Sequence, residues 1–321
     1  MDTTKEYSLT LTSSWLNNLN ANFNIVELEF RTSISESEFS SIINKARTFG
    51  KRILDYTGIA SSKKVFAIQW TSRKVLIVSM YEVNLPINSS SLFKRLNAEV
   101  INLSSVNMSR VKSMEYIFAS SPLQSITLSK TLGKATDVDM ANAFDKCRKL
   151  TDINFEAFDG TSITDISGMF NECDSIKEVD FSKTRMSGLL GMSSAFYNCV
   201  NLEQVKFPED IKKACITSMT SVFFNCTNLK NITNFEKIHA KQPASLAGLF
   251  FGCSSLKDLD ISKWKLNEIL NVDDIISADA FLNKSIKLPV GIMAYIDRNR
   301  YVITGLAVEE ETIKKSQERF I

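Results

Sequence analysis

The sequence contains one histidine, His239, and its six cysteines include no Cys-x-x-Cys pair. A zinc site needs clustered nitrogen and sulfur ligands, so no metal site is predicted. A lone histidine could serve as a general base, but no nucleophile is suggested near it, and no phosphate loop, dinucleotide fingerprint or nucleophile elbow occurs. We therefore expect a protein that is not an enzyme, with no catalytic residue, no cofactor and no small-molecule substrate.

The sequence also lacks an excess of either charge, since 38 basic residues stand against 36 acidic ones. No bulk field attracts this chain to nucleic acid or to an anionic membrane. No segment approaches eighteen uninterrupted apolar residues, so no membrane insertion is predicted. The first fifteen residues hold no apolar run of signal-peptide length, so we expect a cytoplasmic chain as written, with a virion or a cell surface as alternatives.

What the sequence does contain is a short motif that recurs along its middle and second half. A phenylalanine is followed three residues later by a cysteine, and after three more by leucine or isoleucine. The five copies are Phe144/Cys147/Leu150, Phe170/Cys173/Ile176, Phe196/Cys199/Leu202, Phe223/Cys226/Leu229 and Phe250/Cys253/Leu256. Successive phenylalanines lie 26, 26, 27 and 27 residues apart. Such a period indicates a repeat fold, with Phe118 and Phe281 in degenerate end repeats.

Each motif leads into an alternating segment, such as Ile176-Lys-Glu-Val179-Asp-Phe181. This is the LxxLxL strand pattern of a leucine-rich repeat. Between strands, apolar residues from Ile163 to Cys173 recur every three or four positions, which predicts a short helix capped by Thr164 or Asp165. The segment after Leu229 is out of step, so a bulge is expected near Asn234.

These patterns predict an α/β fold built on a leucine-rich-repeat solenoid of about seven coils. The solenoid is assigned to residues 91–288, after Pro86 and a serine run that mark a boundary. Residues 1–90 are predicted to form a small α/β domain with antiparallel strands and one long helix. Its elements fall at 24–30, 64–70 and 73–81 for the strands and 35–56 for the helix. Residues 289–321 are predicted to cap the solenoid with a hairpin at 294–304 and a helix at 308–320.

Two segments, ITDISGMFNECDSIKEVDFSKT from Ile163 to Thr184 and LFFGCSSLKDLDISKW from Leu249 to Trp264, resemble a known repeat. Their Met-Phe-x-x-Cys turn, Ser-Leu-x-x-Leu-Asp-Leu-Ser strand and trailing Lys-Trp are similar to the BspA-like leucine-rich repeats of bacterial surface proteins. The resemblance covers about residues 100–288. It implies a right-handed solenoid with a role in adhesion or protein binding.

The cysteines occupy one position of the repeat in five cases out of six. A residue type that recurs in phase with the core phenylalanines is expected to be a buried, reduced core thiol. Cys215 is out of register, and we expect it to be the exposed one.

Residues between the buried strand positions point outward, because side chains alternate along a strand. One outward column reads Thr127, Asn154, Asp180, Lys206, Thr233 and Asp260, and the preceding column reads Ser125, Asp152, Glu178, Gln204, Asn231 and Asp258. Together with Glu156, these columns hold six carboxylates and one lysine. The predicted partner-binding residues are Asp152, Asn154, Glu156, Glu178, Asp180, Gln204, Lys206, Asn231, Asp258 and Asp260.

An acidic sheet face favours a protein partner and disfavours nucleic acid, which would require a basic face. We therefore expect a recognition protein that binds a protein partner. Alternative interpretations are a solvated strand surface without a partner, a phage virion or tail attachment protein, and a secreted bacterial surface adhesin.

Overall fold

The computed structural model describes residues 8–56, 65–238, 245–264, 275–276 and 286–289. Several predictions lie outside these residues: His239, the end repeat at Phe281, and the hairpin and helix assigned to the C-terminal cap. Within the described residues, the chain forms a mixed α/β fold with several sheets and repeating strand segments.

The two α-helices of the described residues both precede the repeats, at Ser13–Asn22 (α1) and Glu36–Thr48 (α2). The strands are β1 Ser8–Thr10, β2 Glu27–Arg31, β3 Arg52–Asp55, β4 Val65–Gln69, β5 Lys74–Ser79, β6 Glu82–Asn84, β7 Val100–Asn102, β8 Val106–Asn107, β9 Ser125–Thr127, β10 Val138–Asp139, β11 Asp152–Ile153, β12 Ile163–Asp165, β13 Glu178–Asp180, β14 Gln204–Lys206, β15 Asn231–Thr233, β16 Leu259–Asp260 and β17 Ile286–Lys287. Short 3-10 helices lie at Lys130–Lys134, Phe155–Phe158, Glu209–Lys213 and Phe235–Lys237.

The largest sheet has seven strands in the order β11-β9-β7-β2-β5-β4-β3. It is parallel from β11 to β5 and antiparallel from β5 to β3. Because β2 pairs with β7, the N-terminal segment and the first repeats share one sheet and one continuous core. The division near residue 90 stays a prediction.

Helix α2 begins where the sequence predicted, with the Ser35 hydroxyl accepting a hydrogen bond from the Glu38 amide. The predicted extension to Tyr56 is wrong, because the helix ends at Thr48 and Gly50 adopts a left-handed φ of 59°. The chain then reverses, and β3 pairs antiparallel with β4. Helix α1 was not predicted, although it buries Trp15 and Leu19 in the core.

The predicted helix from Ile163 to Cys173 is also wrong. Its first residues form β12, and the Asp165 carboxylate accepts a hydrogen bond from the Ser167 amide, which makes a turn rather than a helix cap. Gly168 and Glu172 then take left-handed φ values of 59° and 54°, which no α-helix tolerates at every fourth residue. The apolar spacing of three and four residues is therefore produced by consecutive tight turns.

These turns are held by the neighbouring repeat. The amides of Gly168, Phe170 and Glu172 donate to the carbonyls of Ser193, Ala195 and Tyr197 at 2.7–2.9 Å. The amides between them donate within their own turn, as Met169 does to Ile166. Every backbone amide from Ile166 to Cys173 thus has a hydrogen-bond acceptor without a helix, as a dry interior requires.

The predicted row of phenylalanines is confirmed, and it begins one repeat earlier than expected, at Phe93. Adjacent rings stack with centroids 5.2–5.9 Å apart and interplanar angles of at most 17°. The row consists of Phe93, Phe118, Phe144, Phe170, Phe196, Phe223 and Phe250, all at most 1% exposed. The core of the repeats therefore contains a row in which the phenylalanine of each repeat stacks on the phenylalanine of the next.

The expected bulge near Asn234 is absent, since β15 pairs with β14 without a register shift. The extra residue is accommodated after the strand, where Asn234 adopts a left-handed φ of 66° before the 3-10 helix Phe235–Lys237. Asparagine tolerates this conformation better than most residues.

Gly133 lies where two 3-10 helices of adjacent repeats approach each other. A Cβ at this position would fall well inside van der Waals contact with the Asp159 backbone carbonyl oxygen. We expect Gly133→Ala to lower the free energy of unfolding by about 1–3 kcal/mol, because a backbone atom cannot move aside as a side chain can. Urea denaturation followed by circular dichroism measures this.

Gly188→Ala is the matched control, since its Cβ would meet only the Thr164 methyl group, at 4.0 Å. Its free energy of unfolding should stay within about 0.5 kcal/mol of the parent. Equal effects of the two substitutions would contradict the close approach at Gly133.

Candidate protein-binding surface

The two outward columns lie side by side where strands pair. Glu178, Gln204 and Asn231 share one row across β13, β14 and β15. The next row contains Asp180, Lys206 and Thr233. The residues between the columns, such as Val179 and Val205, are fully buried. The predicted alternation therefore holds in this part of the face.

The face is not one continuous sheet. β11 pairs with β9 and β13 with β14, but β11 and β13 are not hydrogen-bonded to each other, and neither are β15 and β16. The predicted residues consequently fall into three groups. They are Asp152, Asn154 and Glu156; then Glu178, Asp180, Gln204, Lys206 and Asn231; and then Asp258 and Asp260.

An open groove of about 820 Å³ occupies the break between β11 and β13. Its apolar side chains are Ile126, Ile153 and Phe155, the last two half-buried. Five carboxylates and two lysines line the rest, a difference of three negative charges: Asp152, Glu156, Asp159, Glu178 and Asp180 against Lys177 and Lys183. We call this the β11–β13 groove. It combines an apolar base, an acidic rim and the facing edges of two strands.

The break between β15 and β16 holds a smaller groove of about 330 Å³. Asp258, Asp260 and Asn231 line it. Asp258 has a left-handed φ of 58°, which turns the chain just before β16. Both breaks in the sheet therefore coincide with depressions that contain predicted residues.

Lys206 neutralises part of the acidic face. Its Nζ lies 2.6 Å from Glu178 Oε1 and 3.2 Å from Asp180 Oδ2. These hydrogen bonds to two carboxylates raise the pKa of Lys206 above its usual value. Lys206 thus acts as a partner for its neighbours in the sheet rather than as a free cation.

Asp180 and Asp260 stabilise the turns that come after their strands. Asp180 Oδ1 accepts from the Ser182 amide at 2.9 Å, and Asp260 Oδ1 accepts from the Ser262 amide at 3.1 Å. Partial burial acts to raise the pKa of Asp180, but the Ser182 hydrogen bonds and Lys206 lower it overall. The hydrogen bonds from Ser262, and then Lys287, lower the pKa of Asp260. Both carboxylates therefore make hydrogen bonds that stabilise the local fold.

Asn154 is also engaged in structure. Its side-chain Oδ1 accepts from the Leu128 amide at 2.7 Å, and its Nδ2 donates to the Leu128 carbonyl at 2.9 Å. The Asn154 side-chain amide thus bonds to the Leu128 backbone in place of a strand pairing. Its oxygen and nitrogen are therefore engaged with the neighbouring repeat. Asp152 and Glu156 are exposed, and neither makes an ion pair within the described residues.

Sequence reasoning missed five charged or aromatic residues of this surface: Phe155, Asp159, Lys177, Lys183 and Lys287. Lys177 precedes β13 and Lys183 follows it, while Phe155 and Asp159 lie in or just after the 3-10 helix that follows β11. None of the four therefore belongs to the two outward columns. Lys287 lies in a strand whose repeat motif is degenerate, yet its Nζ is 3.3 Å from Asp260 Oδ2. The acidic excess is therefore smaller than predicted.

The cysteine prediction is confirmed: Cys147, Cys173, Cys199, Cys226 and Cys253 are buried and unpaired, and Cys215 is exposed. Within the described ranges, no three side chains of His, Cys, Asp or Glu come together as a metal site. None of the helices in that part of the chain is long and apolar enough to span a membrane.

The chain matches the family described as the BspA type leucine rich repeat region, in six copies. The matches cover residues 77–187 and 140–287, which together take in well over half of the 321 residues. They begin within β5, earlier than the resemblance seen in the sequence. A search of curated proteins finds no match.

Proposed function

Because the chain belongs to the family of BspA-type leucine-rich-repeat proteins, we propose that it is a non-enzymatic recognition protein that binds a protein partner through its acidic sheet face. Repeats of this family generally serve adhesion or protein binding. The proposal includes a solenoid of about seven coils, for which the seven stacked phenylalanines are the support.

The β11–β13 groove is the observation that carries this proposal. The strands on either side of the groove, β11 and β13, do not pair with each other. Their facing edges therefore offer backbone hydrogen-bonding groups to an extended segment. Peptides added to sheet edges gain affinity from such main-chain hydrogen bonds and specificity from side-chain contacts. The half-buried Phe155 and Ile153 provide an apolar contact beside that edge.

The negative charge of the β11–β13 groove indicates which kind of partner segment it would bind. Asp152 and Glu156 stand exposed at the groove without an ion-pair partner among the described residues. A segment that carries lysine or arginine would bring the missing counter-charges, and complementary charge raises both specificity and association rate. We therefore propose an extended, basic segment of a protein partner as the occupant.

The test uses peptide display on the intact chain, followed by affinity measurement for the selected peptides. We expect selected peptides in which basic residues alternate with apolar ones. The double variant Asp152→Lys with Glu156→Lys should weaken their binding at least about tenfold, and binding should weaken as salt increases. These two carboxylates are chosen because Asp180 and Asp260 hold turns, so changing those would disturb the fold.

The matched control reverses two exposed carboxylates elsewhere, Glu38→Lys with Glu82→Lys, and makes the same change in net charge. Binding by this control should stay within about twofold of the parent. Equal loss in both variants would indicate a general charge effect, and unchanged binding in the first variant would refute the chosen surface.

A further inference from the structure

A third depression lies on the face formed by the tight turns, away from the strand columns. Its volume is about 440 Å³, within the usual range for small-ligand sites. It is lined by the turns of three successive repeats, which contribute Asn142, then Gly168 and Glu172, then Ser194 and Tyr197. We call it the turn-face pocket.

The absence of a side chain at Gly168 makes room for the Asn142 amide, which lines the pocket. Gly168 occupies the first left-handed position of its turn, where the neighbouring repeats carry Asn142 and Ser194. A Cβ on Gly168 would collide with the Asn142 side-chain oxygen, so that amide lies across the glycine. At the equivalent Gly248, a Cβ would instead meet the Ser221 hydroxyl at 3.0 Å and the Phe224 ring at 3.1 Å, so the surroundings of the two glycines differ.

Tyr197 forms an aromatic wall of the pocket. It is the first ring of a half-buried stack, with Phe224 at 4.9 Å and Phe251 a further 5.0 Å on. Phe224 covers one face of the tyrosine. The residue equivalent to Tyr197 in the preceding repeat is Asn171, which leaves the other face beside the pocket without a ring on it.

The polar groups of the pocket are available for a ligand. Within the described residues, the Asn142 amide and the hydroxyls of Ser167 and Ser194 make no side-chain hydrogen bond. Each of these groups can both donate and accept. The one carboxylate, Glu172, is paired with Arg148 and lies 3.8 Å from Lys146. The single carboxylate of the pocket is therefore neutralised within the protein, which favours a neutral ligand.

An aromatic face beside amides and hydroxyls matches the chemistry of a sugar. A pyranose ring presents a face of C–H groups to an aromatic ring, while its hydroxyls donate and accept around the edge. From this geometry we propose that the turn-face pocket binds a neutral sugar ring. This site is separate from the β11–β13 groove and does not depend on the protein-binding proposal.

The test is saturation-transfer NMR on the intact chain with free glucose, galactose, mannose, fucose and N-acetylglucosamine, each at about 10 mM, a concentration suited to millimolar affinity. At least one sugar should receive saturation at its ring protons. Tyr197→Ala should lower that sugar's affinity at least about tenfold. Asn142→Gly should also lower it, since glycine keeps the left-handed backbone and removes the amide.

Phe251→Ala is the matched control, because it removes a ring from the far end of the same stack. Its sugar affinity should stay within about twofold of the parent, and its circular dichroism spectrum should be unchanged. Absence of saturation transfer for all five sugars would overturn the proposal. So would a signal that survives both Tyr197→Ala and Asn142→Gly in folded protein.

Discussion

Phe170→Ala is expected to lower the free energy of unfolding by about 3–5 kcal/mol. Phe170 is fully buried in the middle of the phenylalanine row, with the Phe144 ring 5.3 Å away on one side and the Phe196 ring 5.9 Å away on the other. Alanine would leave a ring-sized cavity between two flat faces. The backbone on both sides is fixed by hydrogen bonds to the next repeat, so the cavity cannot easily collapse.

Urea denaturation at neutral pH, followed by circular dichroism and tryptophan fluorescence, measures this loss. The control is Phe49→Ala, since Phe49 is 61% exposed and contributes little to the core. Its effect should be within about 0.5 kcal/mol. A loss below about 1 kcal/mol for Phe170→Ala would mean that the row is not a tightly packed core.

The row was predictable because its signal is periodic. Five phenylalanines recur with cysteines in phase, and such a pattern follows directly from stacking like residues. Phe93 was missed because no cysteine follows it three residues later and its distance to Phe118 is 25 residues. Its ring nevertheless stacks on Phe118 at 5.4 Å. Sequence motifs weaken toward the first repeats, where the N-terminal segment takes over part of the contact.

The turns between strands could not be predicted from apolar spacing alone. A helix and a run of tight turns both bring every third or fourth residue inward. The difference lies in left-handed residues, and most of these are not glycine: Ser194 and Asn198 in one repeat, Ser221 and Asn225 in the next. Serine and asparagine also occur widely in other conformations, so they mark a left-handed turn less clearly than glycine does. Hydrogen bonding to the adjacent repeat stabilises them, and a single repeat read in isolation does not show it.

The candidate surface was predictable as columns but not as a shape. Alternation placed Glu178 and Asp180 on the outer face correctly, since it depends only on strand geometry. The breaks beside β11 and β15 depend on the residues immediately after each strand. After β11 the chain enters the 3-10 helix Phe155–Phe158 at once, and Asn154 bonds sideways to Leu128. The β11–β13 groove arises from that local competition.

The buried cysteines have a consequence for stability at alkaline pH. Each thiol donates to the carbonyl of the core phenylalanine in the preceding repeat, as Cys173 does to Phe144 at 3.1 Å and Cys199 to Phe170 at 2.9 Å. Burial raises the pKa of Cys147 and Cys253 to about 12. The same cause raises the pKa of Cys173, Cys199 and Cys226 well above its usual value.

We expect the free energy of unfolding to fall steeply as the pH rises above about 9. The folded chain keeps protons that the unfolded chain releases from about pH 8.5, so the stability due to the thiols is complete below that pH and is lost as the pH rises toward the folded-state pKa values. Each thiol contributes a slope of about 1.4 kcal/mol per pH unit, and five together about 7. Urea denaturation from pH 7 to pH 10 under reducing conditions measures that slope.

Lysines and tyrosines also titrate near this range, so variants must isolate the contribution of the thiols. Cys173→Ala with Cys226→Ala removes two of the five buried thiols and should reduce the slope by about 3 kcal/mol per pH unit. Cys215→Ala removes an exposed thiol and should leave the slope unchanged. If the double variant lost stability with pH as steeply as the parent, the five thiols would not share the dry interior that the stacked phenylalanines define.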